Sequence, residues 1–407
     1  MSAPVPVQAF SPQDRGFMAR ALELAARGLA STHPNPRVGC VLARDGRILA
    51  EGWHERAGGP HAEVAALAAL PEGAAAGCTA YVTLEPCSHH GRTPPCAQAL
   101  IAARVAHVVY AVRDPDPRVA GGGARALAAA GIRVEEGLLA QEAEQINAGY
   151  MKRMRQGLPF LRLKLAQSLD GRTALAGGES RWISGAAARA DVQQWRARSS
   201  AVLTGIGTVL ADDPRLTVRP GGPGVRQPLR VVLDSRLRLP PSARLLEPAA
   251  APGTLRAAGT APGIEGAPAP QGQAAPAQAF VDPGVLVLTA SQDQAAIAAL
   301  SARGVRVQSV PGPEGRLSLV AALAALAREG INEVLAECGA VLGGALLAAG
   351  LVDELLVYVA PVLLGPQARP LVVLPEPASL AAAPRFECIE QQAIGADLRL
   401  RLRPCAR

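Results

Sequence analysis

The sequence predicts an α/β protein of two domains. Three observations carry this. Apolar runs of four to seven residues alternate with Ala-rich runs of helical period along most of the chain. The apolar runs are nearly continuous, which is the mark of strands covered on both faces. The pattern breaks at a basic stretch near Gly149–Pro159 and then restarts. At roughly 100–200 residues per domain, 407 residues suit two or three domains.

Each element has its own signal. Ser11-Pro12 opens a helix, with Ser11 as N-cap and Pro12 at the first helical position. Phe17, Met18, Ala21, Leu22, Ala25 and Leu29 continue it at helical spacing. VGCVLA and RILAEGW flank Asp45-Gly46, which predicts a hairpin. HAEVAALAAL predicts a helix with His61 and Glu63 in its first turn. TAYVTL (Thr79–Leu84) predicts a strand running into Glu85-Pro86-Cys87, and CAQALIAARV a helix from near Cys96. VAHVVYAV, GARALAAAG and IRVEE add a strand, a helix and a strand. Beyond the basic stretch, FLRLKLA, AVLTG, PLRVVLD, GVLVLTA, VRVQSV, NEVLAE and ELLVYVAP are strand candidates. The last segment, FECIEQQAIGADLRLRL, predicts a hairpin around Gly395. Pro248–Ala279 is mostly Ala, Pro, Gly and Gln; it cannot bury a core and predicts a disordered insertion.

Composition narrows the function. Hydrophobic residues are 49% and charged residues 18%, which is globular. The net charge of +7 suits phosphorylated metabolites. Aromatics at 3% and the lack of a basic run argue against nucleic acid as partner. The longest apolar stretch, Gly339–Val352, is short of the ~20 residues of a membrane helix. MSAPVPVQAFSPQDRG has no signal-peptide pattern, so the cytoplasm is expected. Seven cysteines in such a chain read as thiols or metal ligands rather than a disulfide framework.

The sharpest chemistry lies in PHAEV (Pro60–Val64) and EPCSHHGRTPPC (Glu85–Cys96). His61, Cys87 and Cys96 offer an imidazole and two thiolates, three ligands that leave a fourth position open, the composition of a catalytic zinc site. Alone, a His at a helix start is commonly a cap and two cysteines are commonly buried thiols. The joint pattern points to the metal. Glu63, two residues after His61, matches the proton-shuttling glutamate of zinc deaminases. His89 and His90 are rival ligands, ranked lower because no acid accompanies them.

HPNPRVGCVLARDGRILAEGWHERAGGPHAEVAAL followed by TAYVTLEPCSHHGRTPPC resembles the deaminase domain of the RibD family of bifunctional riboflavin-biosynthesis enzymes. The eight residues between Cys87 and Cys96 are part of the likeness. It implies a cytidine-deaminase-like three-layer αβα domain over 1–150. The implied reaction is zinc-dependent deamination of 2,5-diamino-6-ribosylamino-4(3H)-pyrimidinone 5′-phosphate. His61, Cys87 and Cys96 would be ligands, Glu63 the shuttle, and Asn35 and His54 substrate residues.

The second half has no G-x-G-x-x-G opening a helix after a strand, which disfavours a Rossmann domain. Three stretches stand out: LKLAQSLDGRTALAGGESRWIS, LTGIGTVLADDPRLTVR and VLAECGAVLGGALL. They resemble the RibD reductase domain, related in fold to dihydrofolate reductase. The likeness covers 159–407 except the insertion, and implies NADPH-dependent reduction of ribosyl to ribityl. It places Ala166, Trp182, Thr208, Asp212, Ser235 and the turn Gly339, Ala340, Val341, Leu342, Gly343, Gly344 and Ala345 on the nucleotide. Ser180, Arg196, Leu216, Arg219 and Glu337 would face the substrate, a phosphorylated pyrimidine ribotide. The resemblance also makes a homo-oligomer an expectation.

Overall fold

The computed structural model describes residues 10–88, 95–220, 225–248 and 283–405. His89, His90 and all of the expected insertion beyond Pro248 lie outside the described residues. The chain divides into two compact units, Met1–Phe160 with Leu323–Glu333, and Leu161–Ala322 with Val334–Arg407.

The first unit runs α1 (Pro12–Ala26), β1 (Gly39–Arg44), β2 (Arg47–Trp53), α2 (Ala62–Ala68), β3 (Thr79–Val82), α3 (Cys96–Ala102), β4 (His107–Tyr110), α4 (Gly122–Ala129), β5 (Arg133–Glu136), α5 (Ala140–Ile146) and α6 (Ala148–Gln156). Its sheet has the order β2-β1-β3-β4-β5. β1 is antiparallel to β2 and β3, whereas β3, β4 and β5 are parallel. β2, β3, β4 and β5 therefore all point the same way.

Strand alternation splits the apolar residues into two cores. Val41, Ala43, Tyr81 and Val109 pack with Met18, Leu22, Leu24, Ala143 and Tyr150 of the α1, α5 and α6 layer. Cys40, Leu42, Ala80, Val82 and Val108 pack with Ala62, Ala66, Leu100 and Leu127 of the α2, α3 and α4 layer. This is the three-layer αβα arrangement. Ser11 and Asp14 form a reciprocal cap on α1. Asp45 and Gly46 both have positive φ, as a type I′ hairpin requires. α1 stops at Ala26, short of Leu29; residues 27–30 continue in turns closed by short-range backbone bonds. The basic stretch after Gly149 is the body of α6, ended by Gly157 at φ 67°.

The chain continues with β6 (Phe160–Ser168), β7 (Arg172–Ala174), α7 (Ala186–Arg198), β8 (Ala201–Gly205), α8 (Ile206–Asp212), β9 (Leu229–Leu233), β10 (Val285–Thr289), α9 (Gln294–Ser301), β11 (Arg306–Ser309), α10 (Leu319–Arg328), β12 (Glu333–Glu337), α11 (Ala340–Ala348), β13 (Glu354–Ala360), β14 (Arg369–Pro370), β15 (Phe386–Ile394) and β16 (Asp397–Pro404), most of α10 belonging to the first unit and the rest almost wholly to the second. Nine of these strands form one sheet in the order β11-β10-β9-β8-β12-β6-β13-β16-β15. β11 through β12 pair in parallel, as do β6 and β13, while β16 and β15 add an antiparallel hairpin at one edge. The two-stranded β14-β7 ribbon had no clear sequence signal.

Close helix-on-strand packing needs glycine at two strand positions. A Cβ on Gly39 of β1 would lie 2.0 Å from the Ala21 carbonyl oxygen of α1. One on Gly52 of β2 would lie 2.4 Å from the Ala62 carbonyl oxygen of α2. Because backbone, not a flexible side chain, is in the way, Gly39→Ala should lower stability by about 1–3 kcal/mol, the usual cost of overpacking. Urea unfolding followed by circular dichroism checks this.

Candidate active sites

The first site stands where β2 and β3 end. His61 is the residue before α2, Cys96 the first of α3, and Cys87 lies in the segment after β3. The His61 Nδ1 lies 3.0 Å from Cys96 Sγ and 3.6 Å from Cys87 Sγ, and the Cys96 N–H points at Cys87 Sγ at 3.4 Å. All three donor atoms fall within 4.8 Å of one another. Zinc–ligand lengths put tetrahedral donors about 3.5 Å apart, so this set fits one such ion.

The protonation chemistry agrees. A Cys87 thiolate takes a hydrogen bond from the Cys96 thiol and is favoured by His61, which brings its pKa down to about 4. That thiolate and burial then push the Cys96 thiol up. A dication between the sulfurs removes the conflict, because it stabilises both thiolates together. Glu63 is 3% exposed, and burial first, then the Cys87 charge, raise its pKa. It is also hydrogen-bonded to Cys96.

His54 and Asn35 join this site. A strand-end His would ordinarily be exposed, but His54 is buried. Its ring stands edge-on to His61 with centroids 5.5 Å apart. Its Nδ1 meets the Pro60 carbonyl oxygen at 2.9 Å, which fixes a proton there. The Nε2 then accepts from the Asn35 amide at 3.0 Å. Burial lowers the His54 pKa and favours this neutral form. The Asn35 side-chain oxygen has no hydrogen bond among the described residues.

The second site is a cleft of 1590 Å³ in the second unit. Ala166, Ser180, Trp182, Arg196, Thr208, Asp212, Leu216, Arg219, Ser235 and Glu337 all line it. So do Gly339, Ala340, Val341, Leu342 and Ala345. Gly343 and Gly344, placed on the nucleotide by resemblance, do not. The stretch is mostly helix, and both glycines are buried on its inner side. A Cβ on Gly344 would lie 1.8 Å from the Val373 carbonyl oxygen. At Gly344 smallness serves packing, whereas the cleft receives Gly339, the first turn of α11 and Ala345.

Within the cleft Arg196 grips Glu337 with two bonds, Nε–Oε1 2.6 Å and Nη2–Oε2 2.9 Å, and donates to the Thr217 carbonyl oxygen at 2.9 Å. Its fork is therefore engaged. Arg219 is exposed, and its backbone N–H is held by Gln193. Burial would raise the Glu337 pKa, but Arg196, Lys164 and Arg219 together hold it low. Trp182 is 68% exposed, with the Arg189 guanidinium 4.5 Å from its ring centre. Thr208 Oγ1 accepts from the Gly339 N–H at 3.2 Å, tying α8 to the start of α11.

Lys164 also lines the cleft and was missed in the sequence. Burial, the largest effect, lowers its pKa, and Arg196 adds to this. The signal was present: in FLRLKLA the leucines take one face, so Arg162, Lys164 and Ala166 share the other.

Comparison with known proteins assigns each half of the chain to a family region. Residues 159–400 match the model of the RibD C-terminal domain. Residues 11–112 match that of the cytidine and deoxycytidylate deaminase zinc-binding region. Riboflavin biosynthesis protein RibD of Escherichia coli K12 is 48% identical over 401 residues, covering 96% of this chain and 99% of its own. The chain belongs to the RibD family.

Among solved structures, Acinetobacter baumannii RibD is 43% identical with a TM-score of 0.81, covering 97% of this chain and 99% of that one. The Thermotoga maritima diaminohydroxyphosphoribosylaminopyrimidine deaminase/5-amino-6-(5-phosphoribosylamino)uracil reductase is 30% identical with a TM-score of 0.76 and the same coverage. The folds are thus cytidine-deaminase-like and dihydrofolate-reductase-like. This RibD chain is a bifunctional enzyme of riboflavin biosynthesis, a zinc-dependent deaminase and an NADPH-dependent reductase. Among the described residues no helix is long and apolar enough to cross a membrane.

Removing Glu337 leaves the Arg196 guanidinium buried without its acid, and such losses cost about 3–5 kcal/mol. Glu337→Ala should therefore show a large fall in the urea midpoint of the second unit, in excess of any effect of Arg219→Ala.

Proposed function

We propose that the first site deaminates 2,5-diamino-6-ribosylamino-4(3H)-pyrimidinone 5′-phosphate and that the cleft then reduces the ribosyl group to ribityl. The observation that carries the first half is the buried Glu63 carboxyl beside the His61, Cys87 and Cys96 donor set. These three side chains would hold zinc, which when bound acts as a Lewis acid that makes water nucleophilic near neutral pH. Glu63 takes the proton from the attacking water and gives it to the departing amine. A carboxyl whose pKa is raised by burial suits that exchange. Neutral His54 holds the Asn35 amide, turning its oxygen toward a donor on the pyrimidine. The deaminase domain is assigned to 1–150, the reductase domain to 159–407, and the enzyme to the cytoplasm.

In the reductase half NADPH would supply the hydride. The Ala340, Val341 and Leu342 N–H groups open α11 and have no intrahelical acceptor, so they suit the nucleotide diphosphate. Trp182, Thr208 and Asp212 line the same nucleotide path. Glu337, kept anionic by Arg196, faces the ribosyl hydroxyls with Ser180 and Leu216 beside it. Arg219 takes the substrate phosphate, while Arg196 acts through Glu337 as a positioning residue. Lys164 adds an ammonium within reach of the ribosyl group.

Atomic emission should find one zinc per chain, largely lost in Cys87→Ser and Cys96→Ser. Zinc that persisted in both would place the metal elsewhere.

Glu63→Gln should keep zinc but slow deamination by about 10²–10⁴-fold, the usual contribution of a general acid–base group. Reduction of already deaminated substrate should be unchanged. Arg219→Ala should do the opposite, raising the reductase KM with deamination intact. Loss of both steps in Glu63→Gln, with zinc bound, would contradict two separate sites.

A further inference from the structure

The loop that carries Asn35 has little means of holding itself. It runs Pro34-Asn35-Pro36-Arg37 between α1 and β1. Neither proline has an N–H to donate. The Asn35 N–H reaches back to the Thr32 carbonyl oxygen at 2.8 Å. The place of the Asn35 amide against His54 therefore depends on side chains from elsewhere in the chain.

Two groups of side chains do the holding. After Asn35, Asn147 braces Arg37: its Oδ1 accepts from the Arg37 N–H and its Nδ2 donates to the Arg37 carbonyl oxygen, both at 2.8 Å. The Arg37 guanidinium donates to the Leu29 and Ile146 carbonyl oxygens at 3.2 and 2.7 Å, and to the Glu333 carboxylate. Before Asn35, Asn332 Nδ2 donates to the Pro34 carbonyl oxygen at 2.9 Å. Arg153 Nε donates to Asn332 Oδ1 at 2.6 Å. A guanidinium has only donors, so this bond fixes which end of the Asn332 amide faces Pro34. Asn147, Asn332 and Glu333 are all buried.

Asn332 and Glu333 differ from the rest in origin. Residues 159–400 match the RibD C-terminal domain, yet these two belong to the first unit. They follow α10, and Glu333 opens β12. The chain around them is closely packed. A Cβ on Gly149 of α6 would lie 2.5 Å from Glu333 Cγ and 2.6 Å from the Asn332 carbonyl oxygen. A buried ion pair adds little net stability once its desolvation is counted. What the Arg37–Glu333 pair supplies is a fixed place for the chain just after Asn35. Asn332 does the same just before it.

We propose that Asn332 and Glu333 are positioning residues of the deaminase, holding the loop so that the Asn35 amide meets the pyrimidine. This rests on reading Asn35 as a substrate residue. The test is steady-state deamination by the full-length protein with its zinc. Asn332→Asp keeps the size of the side chain and an oxygen for Arg153, and removes the donor to Pro34. It should raise the deaminase KM about threefold to tenfold, the range for one hydrogen bond. The deaminase kcat, the zinc content and ribosyl reduction should be unchanged. Glu333→Gln should act in the same direction. Asn35→Ala should raise the same KM, and adding Asn332→Asp to it should raise it no further, because the Pro34 bond acts through Asn35. A fall in kcat or zinc with KM unchanged would mean a merely structural role and overturn the proposal, as would additive effects in the double variant. A KM that Asn35→Ala raises and Asn332→Asp leaves alone would overturn the proposal by itself. A KM unmoved by Asn35→Ala would overturn the reading of Asn35 and this assignment with it.

Discussion

Parallel strands deliver their carboxyl ends to one edge of a sheet, and each following helix begins at that edge. In the first unit this brings the start of α2, the segment after β3 and the start of α3 to one place. His61, Cys87 and Cys96 are 26 and 9 residues apart in sequence and within 4.8 Å in space for this reason. In the second unit the ends of β9, β8 and β12 supply Ser235, Gly205 and Glu337 to one cleft. The ligand position follows from topology before any side chain is considered.

Burial then decides what each acidic group can do. Glu63 and Glu337 are the same residue type with opposite fates. Burial and the nearby thiolate raise the Glu63 pKa. Glu337 stays charged because a bidentate Arg196 and nearby Lys164 outweigh its desolvation. One environment favours the neutral carboxyl, the other the anion.

Small residues carry a different meaning at each place. Gly39 and Gly52 let α1 and α2 approach their strands closely. Gly344 does the same for α11 against the backbone at Val373. A glycine-rich stretch after a strand suggests phosphate binding, but Gly343 and Gly344 do not line the cleft here, whereas Gly339, Ala340, Val341, Leu342 and Ala345 do. Helical phase sorted the rest inward, which composition does not show.

The sequence by itself determined the elements and the metal chemistry. Periodicity marked nearly every strand and helix, because each must bury one face or two. Ser11, Pro12 and Asp45-Gly46 placed a helix start and a turn through purely local physics. The joint spacing of His61, Glu63, Cys87 and Cys96 pointed to a zinc site, because few other chemistries need those groups together. Tertiary structure alone decided which polar groups remain available. Arg196 and Arg219 read alike in sequence, but one is locked to Glu337 across 141 residues and the other is exposed. For Lys164, alternation marked the face it shares with Arg162 and Ala166, but strand order alone placed that residue on the cleft. Pairing and burial are set by neighbours distant along the chain, and local sequence carries no record of them.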